Sequence, residues 1–278
     1  MSTIVSAPAV SNTERMPVYF ISHGGGPWPW MPQSAPAYAN LAASLADMPR
    51  QLARQPQAIL MVSAHWEEPE FTVQMAAEPG MIYDYGGFPP ETYHIHYRSP
   101  GSPALAERVG QLLGQAGIPA YGDPERGYDH GMFSPMRAIY PEANVPVVQL
   151  SLRRGLDPAE HLALGRALAP LRDEGVLIIG SGLSYHNLRA FGPQAHAPAK
   201  AFDDWLADTM LRSSPAERSE RLLNWEAAPA ARLAHPREEH LLPLMVAVGA
   251  AENDRAVASY HEAAFMGGLA VSSYRLDA

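Results

Sequence analysis

The chain has 278 residues, 47% of them hydrophobic and 18% charged, enough for one large domain with a sizeable core. Its net charge of -9 argues against nucleic acid or an anionic membrane surface as a partner. It holds no cysteine, which excludes a disulfide framework and thiolate metal ligands and suits a reducing cytoplasm.

Residues 1–15, MSTIVSAPAVSNTER, lack the basic start and sustained apolar stretch of a secretory signal and are expected to form a disordered N-terminal segment. From there on, four short apolar runs read as strands: residues 17–22 (PVYFIS), 57–64 (QAILMVSA), 145–151 (VPVVQLS) and 175–180. Their continuous apolarity fits strands covered on both faces, and none approaches the ~18 apolar residues of a membrane span. Helical stretches lie between them. Ser102-Pro103 opens one that runs to Gln115, with proline at the first helical position. Asp157 and Glu160 form a capping-box pair at the start of a second, and residues 199–211 make a third. The alternation predicts a single α/β domain over residues 16–278, built on a mainly parallel central sheet with helices on both faces. The Pro- and Gly-rich stretch 78–103 reads as a long functional loop within that domain, not a boundary.

Eleven histidines are present, and three of them fall in a pattern. His23 follows the first strand and precedes Gly24-Gly25-Gly26; His65 follows the second; His186 lies past the last, after Gly180-Ser181-Gly182. If these strands are parallel neighbours, the three imidazoles converge on one crevice beyond the carboxyl ends. A lone histidine there reads as a satisfied loop or core residue, whereas three together point to a metal or catalytic site. Imidazole suits iron, zinc, copper or nickel. His240, in HPREEHLLPL, and His130, in GYDHGMFSP beside Asp129, are two further candidates. Glu238 and Glu239 read as partners of a helix dipole more readily than as ligands. His94 and His96, two apart, would share a face only on a strand, and their surroundings read as loop. His161 reads as a surface residue of its helix, and His196, His235 and His261 have no supporting pattern.

The segments FISHGGGP, VSAHW, YDYGGFPPETYHIHYRSPGSPALA, GYDHGMFSPMRAIYPEANVPVVQLSL, GSGLSYHNL and EEHLLPL occur in the order found in a known family. On these segments the chain resembles the class III extradiol ring-cleaving dioxygenases, within them the DOPA 4,5-dioxygenase-like branch. The resemblance implies metal ligands at His23, His65 and His240. It puts His186 in the metal's shell, as a further ligand or as the acid/base beside it, and makes His130 a substrate-side histidine that hydrogen-bonds the reacting oxygens. The family usually follows its first histidine with Gly-Ser-Pro; here Gly24-Gly25-Gly26-Pro27 intervenes, followed by Trp28 and Trp30, which reshapes one pocket wall. Trp28, Phe88, Tyr93 and His96 are the candidates for contacts with the substrate.

The implied reaction inserts both atoms of O2 into a catechol-type, DOPA-like ring and opens it to a semialdehyde. Zinc has no redox chemistry, so Fe(II) is the working metal this reaction needs, with Zn(II) able to occupy the same imidazoles. Either His130 or His186 could take the second catechol proton, since a neutral imidazole titrates near ~6.5. The implied partners are a small catechol and O2, and the oligomeric state is left open. Two rival readings stand beside this one. A zinc hydrolase would use similar ligands with an activated water, although no HExxH helix is present. A non-enzymatic binding or signalling module could use the same fold.

Overall fold

The computed structural model describes residues 15–277, so the expected disordered segment 1–15 lies outside the described residues except for Arg15. The four predicted strands form the middle of the sheet: β1 (Val18–Ser22), β2 (Ala58–Glu68), β5 (Val147–Arg153) and β6 (Val176–Gly182). They lie in the order β5-β2-β6-β1 and run parallel throughout. Every residue of β1 and β6 is buried, the result expected of apolar strands covered on both faces.

Both edges are additions that the sequence pattern did not announce. β3 (Phe71–Gln74) meets β5 antiparallel and carries β4 (Ala120–Asp123) beside it. On the other side the hairpin of β7 (Arg255–Phe265) and β8 (Leu269–Asp277) pairs antiparallel with β1, completing eight strands in the order β4-β3-β5-β2-β6-β1-β8-β7.

The helices are α1 (Ala35–Asp47), α2 (Pro103–Gln115), α3 (His130–Ile139), α4 (Pro158–Leu168), α5 (His196–Arg212), α6 (Pro215–Leu223), α7 (Ala231–Ala234) and α8 (Leu242–Ala250). α8 packs on one face of β6 and α3 on the other, as successive residues of β6 show. A Cβ on Gly180 would stand 2.2 Å from the Pro243 carbonyl oxygen, while the Ser181 hydroxyl on the opposite face donates to the Gly131 carbonyl. α4 crosses α8 closely enough that a Cβ on Gly165 or Gly249 would meet the facing backbone at 2.2 or 2.1 Å. No helix among the described residues is long and apolar enough to cross a membrane.

Two local expectations are corrected. Asp157 does cap α4, accepting from the Ala159 and Glu160 amides at 2.7 and 3.2 Å, but Glu160 turns away and pairs with Arg153, so the box is not reciprocal. His161, expected at the surface, is buried against β5: its Nδ1–H donates to the Asp157 carbonyl at 2.7 Å and its Nε2 accepts from the Arg153 amide at 3.3 Å. The helix turns this face inward, and both ring nitrogens find backbone partners there.

Candidate active site

Strand register sets the first two histidines level. Ile21, Ser181 and Ser63 are neighbours across β1, β6 and β2, so His23 and His65, each two residues further on, stand side by side just above the end of β6. His65 is not past the end of its strand, as expected, but inside β2. The β2–β5 register shifts between Val62 and Glu67, and this irregularity re-aims the side chain toward His23. His240 comes from the turn before α8, and β6 determines how close it lies. A Cβ on Gly182 would stand 2.1 Å from the His240 carbonyl oxygen. The glycines of GSG thus admit the backbone leading into α8.

The three rings meet at their Nε2 atoms, 3.1 Å from His65 to His23 and 3.2 Å from His65 to His240. The opposite nitrogens are all engaged. Ser181 has already given its hydroxyl proton to the Gly131 carbonyl, so its oxygen accepts from His23 Nδ1–H at 3.1 Å. Asp84 Oδ2 lies 3.3 Å from His65 Nδ1, and Glu239 Oε1 2.9 Å from His240 Nδ1. With each proton held on Nδ1, three Nε2 lone pairs converge on one another (a tautomer assignment that follows from this network). Metal–imidazole bonds of roughly 2.0–2.1 Å, at tetrahedral or octahedral angles, separate their nitrogens by roughly 2.8–3.4 Å. The donor set fits a divalent cation that accepts imidazole.

Electrostatics agree with that fit. His23 and His240 lie well below the usual histidine pKa, first because burial penalises the charged ring and then because the neighbouring histidines repel it. His65 is pushed down to about 3 by burial and then by His130, against the opposing pull of Asp84. Neutral imidazole is the form that ligates.

His130 and His186 flank this centre. His130 opens α3, capped by Asp129, and donates from Nδ1 to Asp84 Oδ1 at 2.9 Å. Asp84 therefore bridges His130 and His65. Burial would raise its carboxyl, yet the two histidines outweigh this and hold it below the usual range. Glu239 repeats the arrangement. Its Oε1 accepts from His186 Nδ1 at 3.0 Å as well as from His240, and it too lies below its usual range despite burial. His186 stacks on His240 with ring centroids 3.3 Å apart, leaving its Nε2 free of these contacts. Two groupings have the spacing of metal-ligating sets: His23 with His65 and His130, and His186 with Glu239 and His240.

All five histidines and Asp84 line one cavity of about 600 Å³. Of the residues expected to contact a substrate, Phe88 lines it, packed under the Gly26 turn. Trp28 does not; it lies behind His23, donating to the His23 carbonyl at 2.9 Å and stacking on Tyr38 at 4.7 Å. Tyr93 packs against Tyr83 and Tyr85 away from the cavity. His96 is exposed in a separate depression with Glu78 and Arg98, and His94 is exposed as well. No strand forms here, and from 94 to 100 the side chains that turn inward are Ile95, Tyr97 and Ser99, which leaves both histidines on the outer side. Sequence reading passed over Asp84 altogether and took Glu239 for a dipole partner. It also missed His235, buried and donating to the Ser184 carbonyl at 3.0 Å just below His186.

A family model described as the catalytic LigB subunit of aromatic ring-opening dioxygenase matches residues 18–276. The chain is 43% identical over 244 residues to the 4,5-DOPA dioxygenase extradiol of Beta vulgaris, covering 86% of this chain and 88% of that one. It is 36% identical to the protein of the same name from Escherichia coli K12, covering 99% and 100%. It is also 37% identical to the dioxygenase tasH of Hapsidospora irregularis, covering 88% and 81%. The crystal structure of an uncharacterized protein from Escherichia coli K12 superposes with a TM-score of 0.75 at 31% identity, covering 95% of this chain and 100% of that one. The chain belongs to the class III extradiol family of aromatic ring-opening dioxygenases and is an enzyme of that kind, not a zinc hydrolase or a binding module.

Proposed function

We propose that His23, His65 and His240 hold a single Fe(II) ion and that the enzyme opens a catechol ring outside its two hydroxyls, inserting both atoms of O2. The observation that carries this reading is the meeting of three Nε2 lone pairs at 3.1 and 3.2 Å, each ring fixed from behind by Ser181, Asp84 or Glu239. Iron would supply the open coordination positions and the redox chemistry with oxygen that zinc lacks.

The chain's own residues do the rest. Three neutral ligands leave the cation's full charge in place, which favours the ionised diol over the neutral one. His130 and His186 stand on either side of the centre with Nδ1–H held by Asp84 and Glu239, so their Nε2 atoms are the proton acceptors facing the cavity. One of them takes a proton from the catechol and returns it after ring opening. Phe88 and Tyr38 line the wall beside the Gly24–Gly26 turn and give it aromatic surface. Five of the relatives are named for DOPA, one of them as a dioxygenase-like protein. The reading accordingly takes in catechols that carry a side chain on the ring.

Iron content of the reconstituted protein tests the ligand set. The wild type should hold stoichiometric Fe(II), and His23→Ala, His65→Ala and His240→Ala should each lose it while keeping the wild-type circular dichroism. Undiminished iron in all three variants would overturn the assignment.

A further inference from the structure

The cavity has two chemically different halves. Its floor is made by the five histidines and Asp84, and its outer wall mainly by Met31, Leu188, Phe191, Phe265 and Met266, with Gln33 and Ser34 as the uncharged polar residues beside them. At about 600 Å³ it falls within the ~300–1,000 Å³ typical of sites that enclose a drug-sized molecule, so a bare catechol would occupy only the floor.

Two residues carry the outer wall to the rim of the cavity. Leu188 stands at the mouth with 71% of its surface exposed and extends the apolar lining of Met31, Phe191, Phe265 and Met266 outward. Met266 occupies the turn between β7 and β8 with φ +50, a left-handed conformation that residues other than glycine rarely adopt, and lines the cavity from there.

Charge points the same way. No lysine or arginine lines the cavity among the described residues, and Arg189, next to Leu188, is exposed outside it. The one lining carboxylate, Asp84, has both oxygens committed to His130 and His65. A carboxylate on the arm of a substrate would lose water here and meet no cation in return, whereas an alkyl or aryl arm would bury apolar surface on both sides. We propose that the outer half is a subsite for a neutral, apolar substituent, so that the substrates are catechols with an alkyl or aryl arm in preference to an amino-acid or carboxylate arm. This rests on the floor being the diol site.

Equilibrium binding to the Fe(II)-loaded protein under argon tests it, with oxygen uptake measured separately. The probes are 4-propylcatechol, 3-(3,4-dihydroxyphenyl)propanoate, whose arm has the same length but ends in a carboxylate, and DOPA. 4-Propylcatechol should bind at least tenfold more tightly than either of the others. Leu188→Lys, a change at an exposed position, should reduce that preference at least threefold by favouring the propanoate. Equal or tighter binding of the propanoate or DOPA by the wild type, no binding of any probe, or a preference untouched by Leu188→Lys would overturn the subsite. The expected selectivity in binding without oxygen uptake would leave the subsite standing and bring down the dioxygenase reading.

Discussion

Two carboxylates govern which nitrogen each ring offers, without facing the point where the rings meet. Asp84 and Glu239 each hold the Nδ1 protons of two histidines, pairing a ligating ring with a flanking one. Partners of this kind typically change metal affinity or activity by about 10–100-fold. Asp84→Asn should therefore lower Fe(II) affinity or kcat by about that range, as read by metal titration and initial rates, with the fold unchanged. The flanking histidines separate by a second test. One of His130→Phe and His186→Phe should reduce kcat by roughly 10²-fold or more while iron remains bound; normal turnover in both would remove the proton-transfer role. The five histidines were legible because each sits near the end of a strand or the start of a helix. Their carboxylates were not, since Asp84 lies 46 residues from His130 and Glu239 lies 53 from His186, and only the folded chain joins them.

At the scale of elements, the glycines of β6 couple the sheet to the site. Gly182→Ala would set a Cβ 2.1 Å from the His240 carbonyl oxygen, and neither backbone can yield cheaply. Overpacking of this sort costs about 1–3 kcal/mol. The variant should melt at lower temperature and bind iron less tightly because His240 is pushed out of register; calorimetry and metal titration read the two effects. α4 contributes a pH dependence of its own. Burial holds His161 down to about 4, well under its usual value, so the folded state resists protonating it. Its contribution to stability is complete above pH ~6.5 and is lost as the pH falls from there toward 4, at up to about 1.4 kcal/mol per pH unit. His161→Gln should flatten the profile of urea midpoint against pH across that window, and an unchanged slope would refute the assignment. Helix starts were readable from Ser102-Pro103 and Asp157-Pro158 because capping is local chemistry. The end of β2 was not: Trp66, Glu67 and Glu68 are half-polar, and their pairing with β5 depends on a register shift that no alternation encodes.

At the scale of the whole molecule, buried parallel strands announce themselves as apolar runs, and the four central ones were found that way. The edge strands carry mixed patterns, exemplified by β7, whose residues alternate irregularly between buried and exposed, and they were missed. The architecture gathers five histidines from five separate segments over the carboxyl ends of the sheet, as expected of an open α/β fold. A ligand that binds only the folded state stabilises it by about 2.7 kcal/mol at a hundredfold excess over Kd. Fe(II) should accordingly raise the melting temperature of the wild type and leave that of His23→Ala where it was.

The central claim is oxygenation outside the diol, and product analysis under ¹⁸O₂ tests it most directly. The Fe(II)-loaded protein, supplied with a catechol and ¹⁸O₂, should give a yellow ring-opened semialdehyde labelled in its new carboxylate, the aldehyde label being exchangeable with water, cleaved beside the hydroxyl-bearing carbons and not between them, while the zinc-loaded protein gives none. A muconate-type product from cleavage between the hydroxyls, a product with no label in its carboxylate, or equal turnover with zinc would contradict it.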